Sequence, residues 1–272
     1  MIFYFSATGN TKWAARQICK STGDDLLYIP DIINKHEFTL KDGESIGFCF
    51  PVHGWRPPII VREFVRRLHI SNYKNNYCYA VCTAGDTVGE TIRLLERDLS
   101  ISGITLNSSF SLIMPESYVG LPFMDVDTPQ KEKQKINDAD IILQQYINHI
   151  RAKQCGLRNL TIGRWPRINS RLIGHLFLKY LVKDTPFRVN NDKCIKCGRC
   201  SSLCPVHDIK GGVGTEPEWL HNGKCLTCFS CYHHCPTKAI SFGSATRNKG
   251  QYWYGHKKNL KLKRPYQSYK IP

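Results

Sequence analysis

The feature that most narrows what this chain can become is an internal repeat of cysteines. CIKCGRCSSLCPVHDI begins at Cys194 and CLTCFSCYHHCPTKAI begins at Cys225, so one CxxCxxCxxxCP unit is used twice, 31 residues apart. A CxxCxxC loop can wrap three thiolates around one small inorganic object, and the fourth must come from elsewhere. Paired CxxC knuckles also hold structural zinc, yet zinc ribbons use two cysteines per knuckle and give no role to the third or to the CP ending. The chain opens on MIFYF, without a basic region or a long apolar segment, so no secretory signal is expected and the cytoplasm is the expected address. Thiols stay reduced there, and clustered cysteines bind metal rather than pair.

In the two-cluster [4Fe–4S] pattern the fourth cysteine of each run ligates the other cluster. Cluster one then takes Cys194, Cys197, Cys200 and Cys235, and cluster two takes Cys225, Cys228, Cys231 and Cys204. The stretch over residues 190–243 resembles a bacterial-type two-cluster ferredoxin, with a longer spacer, KGGVGTEPEWLHNG, between its halves. Five further cysteines, Cys19, Cys49, Cys78, Cys82 and Cys155, have no such spacing, and Cys49, Cys78 and Cys82 fall on predicted buried strands as core residues.

The net charge is +16 and unevenly spread: residues 1–150 carry 15 Lys+Arg against 17 Asp+Glu, and residues 151–272 carry 23 against 5. A basic half of this size suits nucleic acid, an anionic membrane surface or an acidic protein. Two oxidised clusters with four thiolates each carry about −2 apiece, so part of the excess is internal neutralisation and nucleic-acid binding is not expected. Residues 151–189 hold nine Lys+Arg and one acidic residue around RLIGHLFLKYLV. They read as a basic helical connector that buries its apolar face on a neighbouring domain, with a helix lying on a membrane surface as the alternative. No apolar stretch reaches the roughly 18 residues that a membrane span requires.

Residues 1–150 alternate short apolar runs with helical patterns, the rhythm of a parallel sheet covered on both faces. Strands are predicted near 2–5, 26–29, 46–50, 77–82 and 109–114, and helices near 10–21, 58–69, 88–100 and 130–152. This implies an α/β fold, a doubly wound five-stranded parallel sheet with a ligand at the carboxyl ends of its strands. After the fifth strand PESYVGLPFMDVDTP breaks the rhythm, as a lid over that edge or as a surface excursion. The turn FSATGNTKW gathers three hydroxyls, Ser6, Thr8 and Thr11, with Gly9 at a helix start, where orphan N–H groups and the helix dipole favour an anion. No lysine is placed as in a GxxxxGK nucleotide loop, which favours a single phosphate monoester. A plain helix cap by Ser6, Thr8 or Asn10 is the ligand-free reading.

The hexapeptide Ser6-Ala7-Thr8-Gly9-Asn10-Thr11 resembles the phosphate loop (T/S)xTGxT of flavodoxins. That resemblance implies noncovalent FMN whose ring is contacted by the loops after the third and fourth strands. These are PVHGWRPP, with Pro51, Val52, His53 and Trp55, and TAGDTVG, with Thr83, Ala84 and Gly85. Trp55 is the aromatic placed to stack on the ring, while His53 either hydrogen-bonds the flavin or only shapes its loop. The second loop has no aromatic, which leaves the other ring face to Tyr118 or to part of the ferredoxin-like half.

Together the two resemblances match the flavodoxin/ferredoxin fusion family of anaerobic bacteria and archaea. The order is a flavodoxin-like domain over 1–150, the connector over 151–189, a ferredoxin-like α+β domain over 190–245 and a basic aromatic tail over 246–272. The family implies an iron–sulfur flavoprotein that shuttles electrons between two [4Fe–4S] clusters and FMN, served by a redox protein or a small-molecule electron acceptor. Two other classes stay open: an FMN-dependent reductase of a small organic substrate fed by its own ferredoxin half, and a redox sensor that binds nucleic acid or a membrane surface. No GxGxxG follows a strand, so nicotinamide dependence is not expected.

Overall fold

Every residue of the first strand is apolar, and alternate side chains enter opposite cores because the strand period is two. Phe3 and Phe5 pack with Phe48, Phe50, Phe64 and Val65 on one face, while Ile2 and Tyr4 pack with Ala14, Ile18, Val81 and Leu143 on the other. The structure, a computed structural model, describes residues 1–256; residues 257–272 of the expected tail lie outside the described residues.

The expected strands form as β1 (Ile2–Tyr4), β2 (Leu26–Tyr28), β3 (Ile46–Pro51), β4 (Cys78–Ala84) and β5 (Ser108–Ile113), all parallel, in the order β2-β1-β3-β4-β5. This is the flavodoxin-like doubly wound order, with its winding reversed between β1 and β3. Helices α1 (Asn10–Thr22) and α4 (Pro129–Arg151) cover one face; α2 (Ile59–Arg67) and α3 (Thr91–Ile101) cover the other. Cys49, Cys78 and Cys82 are fully enclosed between these layers, and burial pushes all three thiols well above their ordinary range.

The sheet differs from the expected five strands by a sixth. Strand β6 (Arg158–Asn159) lies parallel to β5, with Arg158 opposite Ser109 and Asn159 opposite Phe110. Two polar residues carry no strand periodicity. The pairing is held instead by backbone bonds and by Arg158, which bonds Ser109 Oγ at 3.2 Å and Glu96 at 2.6 Å.

The remaining run of chain crosses back over the sheet edge as a helical stretch, Ile168–Ile173 continuing into α5 (Gly174–Tyr180). The cysteine-rich unit follows. Strand β7 (Phe187–Val189) pairs antiparallel with the last strand, β10 (Ile240–Phe242), and β8 (Ile209–Lys210) pairs with β9 (Glu218–Trp219). Two single-turn helices, α6 (Arg199–Ser202) and α7 (Ser230–His233), complete it around a third core in which the Phe187 and Trp219 rings stack 5.4 Å apart.

One buried charge cluster ties α2 to α3. Asp98 is wholly enclosed and takes Arg62 Nε at 2.6 Å, Arg62 Nη2 at 3.0 Å and Arg66 Nε at 2.7 Å. Asp98→Ala leaves two guanidinium groups without their counter-charge and is expected to cost about 3 kcal/mol, seen as a lower urea midpoint. Arg66→Ala, which removes a partly exposed partner, is expected to cost clearly less in the same measurement.

Candidate functional site

Each cysteine run lines one cavity and sends its last cysteine to the other. Cys194, Cys197 and Cys200 line the first cavity together with Cys235; Cys225, Cys228 and Cys231 line the second together with Cys204. The free space, mouths included, is about 410 and about 310 Å³. Among the described residues no group of three or more His, Cys, Asp or Glu side chains converges to hold a single ion. The thiols ring a space instead, and four sulfur donors around a cavity fit a polynuclear cluster.

The exchange follows from the local fold. In each repeat a short helix carries the third cysteine, and the chain leaves it through Cys204-Pro205 or Cys235-Pro236, where proline ends the helical path. Helices α6 and α7 lie side by side, so the exiting cysteine of one run reaches the neighbour's loop. The backbone repeats itself at the sequence offset. Lys196 and Thr227, Gly198 and Phe229, and His207 and Lys238 all take positive φ. Asp208 N–H donates to Cys204 Sγ and Ala239 N–H to Cys235 Sγ, both at 3.2 Å. Burial raises the Cys200 thiol to about 11 and the Cys228 thiol to about 12. An empty cavity therefore favours the protonated thiols, and a bound metal must displace those protons.

The hydroxyl-rich turn stands where expected, between β1 and α1, with Gly9 at φ 95°. Ser6 Oγ accepts the Gly9 N–H at 3.2 Å, and the Thr11 and Thr83 hydroxyls meet at 2.7 Å. Three other segments cover the turn. From the loop after β5, Ser117 Oγ accepts from Thr8 Oγ1 at 3.3 Å and Pro115 O accepts from Asn10 Nδ2 at 3.0 Å. From α7, Ser230 Oγ donates to Ala7 O at 3.3 Å. From the C-terminal segment, Tyr254 N–H donates to Thr8 O at 2.8 Å, the Tyr252 hydroxyl donates to Asn10 Oδ1 at 2.6 Å, and the Tyr254 and Trp13 rings stack at 5.3 Å.

The two ring loops are also brought together and then covered. Val52 N–H bonds Thr83 O at 2.8 Å, and the Trp55 indole donates to Thr87 Oγ1 at 3.0 Å. His53 packs edge-on to Phe5 and closes a small bridge with Arg56. Ala84 O accepts from Met114 N–H, and Gly85 O from Lys135 Nζ at 2.7 Å. The Phe177 ring of α5 lies so close over Gly54, between Pro51–His53 and Trp55, that a β-carbon there would come within 2.7 Å of it. The Glu116 carboxylate lies directly against Gly85. Tyr118 is not free to face a ring either, since it packs edge-on to Phe177 and Phe229 at 5.3 Å each.

The hydroxyls of the phosphate turn are engaged within the protein, Thr8 by Ser117 and Thr11 by Thr83, and Phe177 and Glu116 cover the ring loops. Glu116, Ser117, Phe177, Ser230, Tyr252 and Tyr254 are the covering residues that the sequence did not single out. The sequence pointed only to their segments: the 115–129 loop as a possible lid, the apolar connector and the aromatic tail.

Comparison with known proteins gives one family match. Residues 187–236 match a family model described as a 4Fe-4S dicluster domain. No curated protein matches. Among solved structures, the chain is similar to a Bacteroides uniformis protein assigned as a flavoprotein, at 17% identity over 41% of this chain and 88% of that one, with a TM-score of 0.33. It is also similar to an azoreductase from Bacillus anthracis, at 7% identity over 56% and 98%, with a TM-score of 0.36. A third similar structure is the Trp repressor binding protein from Bacillus subtilis, at 12% identity over 41% and 83%, with a TM-score of 0.27. Likenesses of this size carry no argument. The class is defined by the sheet order and the matched cysteine unit: a flavodoxin-like α/β half joined to a 4Fe-4S dicluster domain.

Gly198, between the second and third cysteines of the first run, has φ +68°, and a β-carbon there would meet Gly212 C at 2.7 Å. Gly198→Ala is expected to cost roughly 1–2 kcal/mol from its left-handed backbone alone and to lower iron content at the first cavity. Urea unfolding and iron analysis check both effects.

Proposed function

We propose that the protein is an electron-transfer iron–sulfur flavoprotein with two [4Fe–4S] clusters. One is held by Cys194, Cys197, Cys200 and Cys235, the other by Cys204, Cys225, Cys228 and Cys231. The observation that carries this reading is the exchange of the fourth cysteine, which gives each cavity four sulfur donors. Backbone N–H groups directed at Cys204 and Cys235 Sγ favour thiolate charge and belong to the means by which proteins set cluster potentials.

FMN is the flavin assigned to the first half. Ser6–Thr11 would hold its phosphate, and the 51–58 and 83–89 loops would flank its ring, a seat that requires Phe177 and Glu116 to be displaced. Bound there, FMN supplies chemistry in steps of one or two electrons.

Protein purified or reconstituted without oxygen is expected to hold about eight iron atoms and eight acid-labile sulfides per chain. Stoichiometric zinc with no labile sulfide overturns the reading. Cys204→Ala is expected to impair the cluster of Cys225, Cys228 and Cys231 and to spare its neighbour, and the opposite loss rejects the crossed assignment. For the flavin, Thr8→Ala removes a hydroxyl from the phosphate turn and is expected to weaken FMN about tenfold or more, with riboflavin binding unchanged. Equal FMN affinity in parent and variant makes the turn a helix cap only.

A further inference from the structure

The connector presents two different faces along one helical run. Inward, Ser170 and Gly174 are buried, Ser170 Oγ accepts the Glu90 N–H at 2.7 Å, and Phe177 lies on Gly54 and Tyr118. Outward, Ile168, Leu172, Leu176 and Tyr180 recur every four residues along the helical run, with Trp165 just ahead of it, and each is 44–58% exposed. Immediately before each of them stands a basic residue: Arg164, Arg167, Arg171, His175 and Lys179. The Arg164 guanidinium lies over the Trp165 ring and the Lys179 ammonium over the Tyr180 ring, both at 5.2 Å. Arg171 is held by Glu90 at 2.7 Å, whereas among the described residues Arg164, Arg167 and Lys179 have no carboxylate partner.

We propose that this face docks the protein on an anionic lipid bilayer. A continuous exposed apolar row is unusual on a protein that stays free in solution. A second copy of the chain is a poor occupant, because an antiparallel two-fold contact along the helix brings one basic row against another. A flat surface with an apolar interior and negative headgroups matches both rows along their whole length. Trp165 and Tyr180 stand at the two ends of the row, with their rings suited to the interface and their neighbouring cations suited to phosphates. The sequence adds a second source of attraction: residues 257–272 contain six Lys+Arg and no acidic residue. Stable anchoring on a membrane surface generally takes two such signals.

The test is co-sedimentation of the cluster-loaded protein with vesicles of phosphatidylglycerol and phosphatidylcholine, compared with phosphatidylcholine alone. Binding is expected to the anionic vesicles and to fall with salt. Lys179→Gln is expected to lower partitioning about fivefold, and Leu176→Glu about tenfold or more. Unchanged cluster absorbance in both variants establishes that they remain folded. Three results overturn the proposal: no binding to anionic vesicles, binding undiminished in Leu176→Glu, which leaves the polybasic end as the sole contact, or a solution dimer that Leu176→Glu splits.

Discussion

Neither cysteine run closes its own cavity. Cys235 completes the ring begun by Cys194, Cys197 and Cys200, and Cys204 completes the ring begun by Cys225, Cys228 and Cys231. This exchange forces α6 and α7 to lie side by side and brings the first and last strands of the unit together, with Phe187 opposite Phe242 and Val189 opposite Ile240. The small core of Phe187, Trp219, Phe229 and Tyr232 fills what remains. So small a unit has little apolar surface to bury, and metal binding at a shared site becomes part of its folding energy.

The same helix that carries Cys231 also faces the other half. Ser230 bonds Ala7 O, and His233 Nε2 donates to Ser117 O at 2.6 Å while its Nδ1 accepts the Tyr252 N–H at 3.1 Å. Burial holds that imidazole neutral, with its pKa lowered to about 4, which suits a ring that donates at one nitrogen and accepts at the other. Lys249 then fastens the returning chain to the loop after β5 through Val119 O at 3.1 Å, Met124 O at 2.6 Å and Leu121 O. The crevice that a doubly wound sheet opens between β1 and β3 is therefore filled from within. Phe177, Tyr118 and Phe229 form a continuous series of edge-on rings from Gly54 to the residue beside Cys228.

Much of this was legible in the residues. The parallel strands and their helices were readable because a sheet covered on both faces demands apolar runs such as IFYF and IGFCF, set apart by helical patterns. Strand β6 was not readable, since Arg158 and Asn159 carry no alternation and are held by neighbours distant in the chain. Residues 171–182 were readable as helix, but which residues of the connector face inward depends on Gly54 and Glu90, which lie 80 or more positions earlier.

What the sequence by itself determined is the chemistry held in short spacing. CxxCxxC fixes three sulfur donors on one loop because the covalent chain between them is too short to do otherwise, and SATGNT at a strand end fixes a turn rich in N–H and hydroxyl donors for the same reason. The tertiary structure decided which of those donors remain available. Glu116 on Gly85, Phe177 on Gly54 and Tyr254 on Gly9 are contacts between residues tens to hundreds of positions apart. Their formation depends on the packing of whole elements, which no local spacing encodes.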